Sequence, residues 1–248
     1  MLERENEKIG LSTDTLNMIL LIDNSYSMLD KGIAQVNQAI PMLRDRLIDA
    51  AEEEDVTISL RIIAFSDRPV WKVGSAEKGE IIEKKEDLIW EDLKAENTTA
   101  TAKAIKEANK ALRKRYLGEK PTPPVVILIT DGQCTDVHDE YLEAIAEMKT
   151  KLTDTEKTAK KDKVLRMAIG AGTYVMKELE EFATMGTIDG VPDKPFVFTV
   201  DNFDDLAKKI TWVALSSLYT LTGNDDNEQY EMDSDGVTNE DDFGDDDD

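Results

Sequence analysis

NMILLIDNSYSM, residues 17–28, decides how the rest of the chain is read. Met18 to Ile22 form a short unbroken apolar run, the pattern of a strand buried on both faces of a parallel sheet. The run stops at Asp23, and two hydroxyls follow at Ser25 and Ser27. This D-x-S-x-S spacing places one carboxylate and two hydroxyls in a tight loop at the carboxyl end of a strand, where ligands bind in open α/β sheets. All three are hard oxygen donors, suited to Mg²⁺, Mn²⁺ or Ca²⁺ and poorly suited to zinc. The same residues also make ordinary turns and helix N-caps, so the loop by itself leaves a metal and a plain turn both open.

Two later stretches bear on that choice. Asn97-Thr98-Thr99-Ala100-Thr101 precedes a helix-forming run, and Val125-Val126-Ile127-Leu128-Ile129 is a second apolar strand, ending in Thr130-Asp131-Gly132. With the first loop, these resemble the three loops of the metal-ion-dependent adhesion site (MIDAS) of von Willebrand factor A domains. The resemblance spans about Thr15 to Thr222. It implies hydroxyl ligands from Ser25, Ser27 and a threonine, aligned on Thr99 with Thr98 as the alternative. Asp23 and Asp131 would supply the charge, directly or through water. Few carboxylates in direct contact would leave the metal electrophilic, able to accept an acidic side chain from a protein partner. Two departures stand out: Tyr26 where the family often has glycine, and Asn97-Thr98 in place of Gly-Gly.

Composition narrows the classes. The chain has 248 residues, 40% of them hydrophobic, enough for one sizeable domain. A net charge of −23 disfavours nucleic acid and anionic membrane as partners. The single cysteine, Cys134, excludes an intrachain disulfide and fits a reducing compartment. The charged start MLERENEKIG has no apolar core of a signal peptide, and no apolar run approaches the roughly 18 residues of a membrane span. The expectation is a cytoplasmic protein, monomeric when alone.

Taken in order, residues 1–14 read as a polar arm and 15–222 as one domain. Helices are expected over 32–54, interrupted or kinked at Pro41, and over 101–116, 139–160, 175–185 and 203–221. Strands are expected over 17–22, 56–65, 125–130, 164–169 and 196–200, with a short antiparallel edge strand at 70–73. In the second strand Val56, Ile58, Leu60 and Ile62 alternate with Thr57, Ser59 and Arg61. On the helix from 139, the apolar face reads Leu142, Ile145, Ala146, Met148 and Leu152. Residues 74–96 read as a charged excursion packed back through Leu88, Ile89, Trp90 and Leu93. Alternating strands and helices give an α/β fold: a doubly wound, mostly parallel, Rossmann-like sheet with one short antiparallel edge strand. Such a fold says little about function by itself.

Residues 223–248 change character. They hold thirteen acidic residues and no Lys or Arg, which leaves −10 on the rest of the chain. Such a segment buries too little apolar surface to offset chain entropy and is expected to be disordered. Its carboxylates would be tethered competitors for a carboxylate-accepting metal on the body. Glu231 to Asp242 partly mimics a calcium loop through Asp233-Ser234-Asp235-Gly236, but Glu occupies its first position and no apolar helices flank it.

Other candidates favour plain roles. Asp136 reads as a cap of the following helix rather than an outer acid of the site. Cys134 and His138 have no partners for zinc or nucleophilic chemistry. Gly170-Ala171-Gly172 reads as a strand-to-helix turn. Within the family, the chain looks most like the stand-alone bacterial type associated with tellurite resistance (TerY/YegL-like). The carrying residues are Ile129 to Gly132 continuing to Thr135-Asp136, the Ala168-Ile169-Gly170 strand end, and Asn202 to Leu206. That implies a Mg²⁺-dependent (or Mn²⁺- or Ca²⁺-dependent) protein-binding module in a stress-response or phage-defence setting, not an enzyme. The alternatives are a metal-dependent phosphoryl-transfer or hydrolytic enzyme, or a structural subunit with a vestigial site. No general base or phosphate loop is legible for the enzyme.

Overall fold

Strand β1 (Thr15–Asp23) is buried along its whole length after Thr15, as its apolar run predicts. In the computed structural model, which describes residues 15–117, 122–150, 164–201, 203–222 and 231–232, it pairs in parallel on both sides. Its partners are β2 (Thr57–Phe65) and β5 (Val125–Thr130). The sheet runs β3-β2-β1-β5-β6-β9, where β3 is Pro69–Val73, β6 Leu165–Ala171 and β9 Val197–Val200. β3 and the two-residue β4 (Glu80–Ile81) both pair antiparallel with β2, so the antiparallel edge has two pieces where one was expected.

Two helical layers cover the sheet. Met18, Leu20 and Ile22 of β1 face α1 (Lys31–Glu53) and α5 (Leu206–Thr222). Ile19 and Leu21 face α2 (Thr101–Ala111) and α3 (His138–Thr150). Period-2 alternation thus feeds two cores from one apolar strand. α1 runs without interruption through Pro41, which was expected to interrupt or kink it, and buries Ile33, Val36, Ile40, Leu43 and Leu47. On α3 the inward face is Tyr141, Ala144, Ile145 and Met148, while Leu142 and Ala146 are exposed. The expected face was therefore rotated, because a buried Tyr141 was not counted. Leu152 and the expected extension to 160 lie outside the described residues.

A further departure lies after α4 (Met176–Phe182). Met185, expected to close that helix, and residues 186–195, which carried no expected element, make a hairpin, β7 (Met185–Ile188) and β8 (Val191–Pro195). Asp189 and Gly190 turn it with positive φ of 51° and 71°, the two-residue Asp-Gly connection that favours a hairpin. Strand β10 (Glu231–Met232) pairs in parallel with Thr187 and Ile188 of β7. At this point the acidic segment, expected to be disordered, is paired to the body. The rest of it, like the 1–14 arm, lies outside the described residues. Among the described residues, no helix is long and apolar enough to cross a membrane.

Strand β2 corrects the alternation read from its sequence. Ser59 and Arg61 are as enclosed as their apolar neighbours, and Arg61 has 0% exposure. Among the described residues its guanidinium finds no carboxylate. It donates to Ser75 O at 3.1 Å, Asn17 Oδ1 at 3.0 Å and Tyr116 O at 2.9 Å. The turn at 114–116 and the excursion at 74–79 close over it, and burial lowers its pKa. Arg61 thus ties the excursion and the turn at 114–116 to β2 and, through Asn17, to β1. Arg61→Ala should cost about 3 kcal/mol or more, since it leaves several buried acceptors unpaired and opens a cavity. Urea unfolding measures this, and a loss under about 1 kcal/mol would mean the three bonds are dispensable.

Candidate metal centre

The centre forms where strand order reverses, at the carboxyl ends of β1 and β5 and the start of α2. Asp23 closes β1 at 0% exposure. Its Oδ1 accepts the Ser25 backbone N–H at 2.8 Å, and its Oδ2 accepts the Thr130 hydroxyl at 2.6 Å. The first bond curls the loop after β1, and the second ties it to the end of β5. The Ser25 and Ser27 hydroxyls lie 2.9 Å apart, and Ser27 Oγ donates to Asp131 Oδ1 at 2.6 Å. Asp23, Ser25, Ser27 and Asp131 are thereby one connected set.

Thr99 joins them through Gly132. A Cβ added to Gly132 would lie 3.3 Å from Ser27 Oγ, 3.3 Å from Thr99 Oγ1 and 3.9 Å from Asp23 Oδ2. The missing side chain therefore leaves a small space in the third loop that oxygen atoms of the first two loops face. Thr99 is buried and Thr98 exposed, so Thr99 is the threonine turned toward the other donors. Asn97 takes the left-handed conformation, φ 50°, which asparagine tolerates better than most residues. That explains how Asn97-Thr98 stands where the resemblance has two glycines.

The loop holding Thr99 is pinned from several sides. Tyr26 N–H donates to Asn97 O at 3.2 Å, and Ala100 N–H to Ser66 O at 2.7 Å. Thr135 donates to Thr99 O from its backbone N–H at 2.8 Å and its hydroxyl at 2.9 Å. Asp136, expected to cap the following helix, instead accepts Ala102 N–H at 2.7 Å and so serves the start of α2. The helix it caps precedes it in sequence, and only packing of the two loops brings them together. Thr130, Gly132 and Asn24 were not singled out from sequence as parts of the site. Thr130 stood within the Thr-Asp-Gly signature, the one signal that could have pointed to it.

The other singled-out residues sit apart from this set. His138 opens α3, with Nε2 3.5 Å from Glu181 Oε1. Cys134 Sγ contacts Asp136 Oδ2 at 3.7 Å, and burial pushes its thiol pKa up. Gly172 turns the chain after β6 with φ 64°. Tyr26 stands at the rim, 63% exposed.

The donor set suits a divalent cation. It offers hydroxyl and carboxylate oxygens alone and only two carboxylates, and among the described residues no group of three or more His, Cys, Asp or Glu side chains is placed to hold a metal. Burial pushes Asp23 up to about 6, with the Asp131 charge adding to it and the Thr130 and Ser25 hydrogen bonds opposing it. Asp131 is also raised by burial, against the Ser27 hydrogen bond. Two buried, mutually repelling carboxylates are what a bound cation would relieve.

Comparison with known proteins identifies the family and the fold. The model of the von Willebrand factor type A domain matches residues 17–212. No curated protein matches the sequence. A von Willebrand factor type A protein from Catenulispora acidiphila superposes with a TM-score of 0.61 at 16% identity, covering 83% of this chain and 43% of that one. Proximal thread matrix protein 1 from the mussel byssus, in a structure with a zinc-occupied MIDAS motif, gives 0.55 at 19% identity, with coverages of 82% and 48%. The ArnB paralog VWA2 from Sulfolobus acidocaldarius gives 0.51 at 17% identity, with coverages of 86% and 46%. These likenesses are of fold, and the chain spans less than half the length of each.

Asp23 makes metal-free stability pH-dependent in a definite direction. Its folded pKa of about 6 lies above the ordinary 3.8, so the folded state holds the proton more tightly. The stabilisation is complete below about pH 4 and is lost as pH rises through 6, a swing of roughly 3 kcal/mol at about 1.4 kcal/mol per unit. In chelator, Asp23→Asn should flatten the stability profile between pH 4.5 and 7.5. Identical profiles for the two proteins, measured by urea unfolding, would refute the raised pKa.

Proposed function

Starting from a chain that belongs to the von Willebrand factor type A domain family, we propose that it is a metal-ion-dependent protein-binding module and not an enzyme. Ser25, Ser27 and Thr99 hold the cation through hydroxyls, and Asp23 and Asp131 supply the compensating charge. The cation, when bound, supplies an electrophilic centre for an acidic side chain of a partner. The observation that carries this reading is the space at Gly132 in the third loop, faced by oxygen donors from the other two.

The chain's own residues prepare that binding. Thr130 and the Ser25 N–H orient Asp23, and Ser27 orients Asp131, so the donors need little rearrangement. Mg²⁺ is the first ion to test, then Mn²⁺ and Ca²⁺. Zinc joins them because the mussel protein's motif holds it, although an all-oxygen site was expected to suit zinc poorly. Exposed Tyr26, Leu29 and Val137 would add apolar contact for a protein ligand around the loops. The finer assignment, a TerY/YegL-like protein of a bacterial stress-response or phage-defence system, rests on Ile129 to Gly132, Ala168 to Gly170 and Asn202 to Leu206. A cytoplasmic, monomeric protein is part of the same proposal.

Gly132→Ala tests the centre with little else disturbed. The added methyl would press on Ser27 and Thr99 hydroxyls at 3.3 Å, not on backbone. Wild type should gain several degrees of melting temperature in millimolar Mg²⁺. Gly132→Ala and Asp131→Ala should gain almost none, while Gly132→Ala melts within a few degrees of wild type in chelator. Equal Mg²⁺ stabilisation of all three proteins would overturn the assignment.

A further inference from the structure

Beside the centre, between edge strand β3 and the extended stretch 92–96, lies a cavity of about 150 Å³. That is room for roughly five waters at the liquid's share of volume, or for one acidic side chain with some hydration. Its floor includes Asn24, Ala64 and Ser66, all buried. Alternation builds the walls. Ala64 pairs with Val70, so Arg68, Val70 and Lys72 share one face of the edge. Across from them Leu93 is buried and Ala95 packs on the core, while Asp92, Lys94 and Glu96 are exposed.

Three cations therefore converge, Arg68, Lys72 and Lys94, in a chain with 53 acidic and 30 basic residues. Among the described residues none of their charged heads makes a hydrogen bond or ion pair, with Asp92 and Glu96 or with anything else. Elsewhere, surface lysines do find acids, as Lys31 with Asp204 and Lys85 with Asp45. The cavity also shares a wall with the metal centre. Asn24 stands between Asp23 and Ser25, its Nδ2 donates to Lys94 O at 2.9 Å, and its own carbonyl accepts Glu96 N–H at 2.7 Å.

We propose that this cavity is a second acid-binding position, which receives a further acidic side chain from the same partner segment whose carboxylate is taken at the metal centre. The inference rests on the protein-binding reading above. The lining charges sum to +1, which one carboxylate balances. A phosphate dianion or a long acidic run would meet Asp92 and Glu96 uncompensated. Asn24 lies in the loop of the centre and in the cavity lining, so the two positions are neighbours, and an extended segment sets acids two or three residues apart roughly 7–10 Å from each other. The preferred ligand is therefore an exposed segment with two acidic residues spaced by one or two others.

The test uses the full-length chain in saturating Mg²⁺ and two fluorescent peptides in a Gly/Ser background. One carries a single Asp, and the other adds a Glu two or three residues on. The second acid should tighten binding about fivefold at low salt, as one partly exposed ion pair does. The triple variant Arg68→Gln, Lys72→Gln, Lys94→Gln should bind both peptides with the wild-type single-acid affinity. Asp92→Asn with Glu96→Gln should enlarge the gain. Equal affinities of the two peptides for wild type, or a gain that survives the triple variant, would overturn the proposal. Chelation separates the two readings. Single-acid binding that is indifferent to chelator defeats the metal reading, and the triple-variant comparison, repeated in chelator, still decides the cavity.

Discussion

A carboxylate held away from water is costly unless hydrogen bonds or a cation compensate it, and Asp23 is such a group at the end of a central strand. Most of the local architecture answers that cost. The Ser25 N–H and the Thr130 hydroxyl satisfy its two oxygens, and in doing so lock the first loop to the third. Ser27 extends the same connection to Asp131. The second loop, which holds Thr99, is fastened by backbone bonds from Tyr26, Ala100 and Thr135. The hydroxyls that face the space at Gly132 are thus positioned by bonds made for other reasons, which leaves them little freedom.

The same frame joins the metal centre to the cation-lined cavity. Asn24 is the common element, with its backbone in the loop of the centre and its side chain on the wall next door. A protein ligand that reaches the first would pass the second. Nearby exposed apolar side chains, and cations that find no partner among the described residues, give one end of the sheet a character unlike the acidic balance of the whole chain.

Legibility in the sequence followed how local each determinant was. Met18 to Ile22, Val125 to Ile129 and the helices that became α1 and α5 were readable because burial on a sheet or helix leaves a periodic trace. Asp189-Gly190 was an available hairpin signal that went unused, and the apolar face of α3 was misjudged because Tyr141 was not counted among its inward residues. Arg61 read as a solvent-facing alternation, since nothing in its neighbours announces that Ser75, Asn17 and Tyr116 supply acceptors around it.

By itself, the sequence determined the class of fold, the three loops and the kinds of donor atom they carry. These follow from short-range patterns: apolar runs, their spacing, and the residues at which they end. Only the tertiary structure decided that Thr99 rather than Thr98 faces the serines, and that Asp136 caps α2 rather than α3. It alone brought Arg68, Lys72 and Lys94 onto one cavity. Each of these depends on contacts between segments tens of residues apart, and such contacts are fixed by packing and by the pairing of buried polar groups, which leave no periodic mark on the chain.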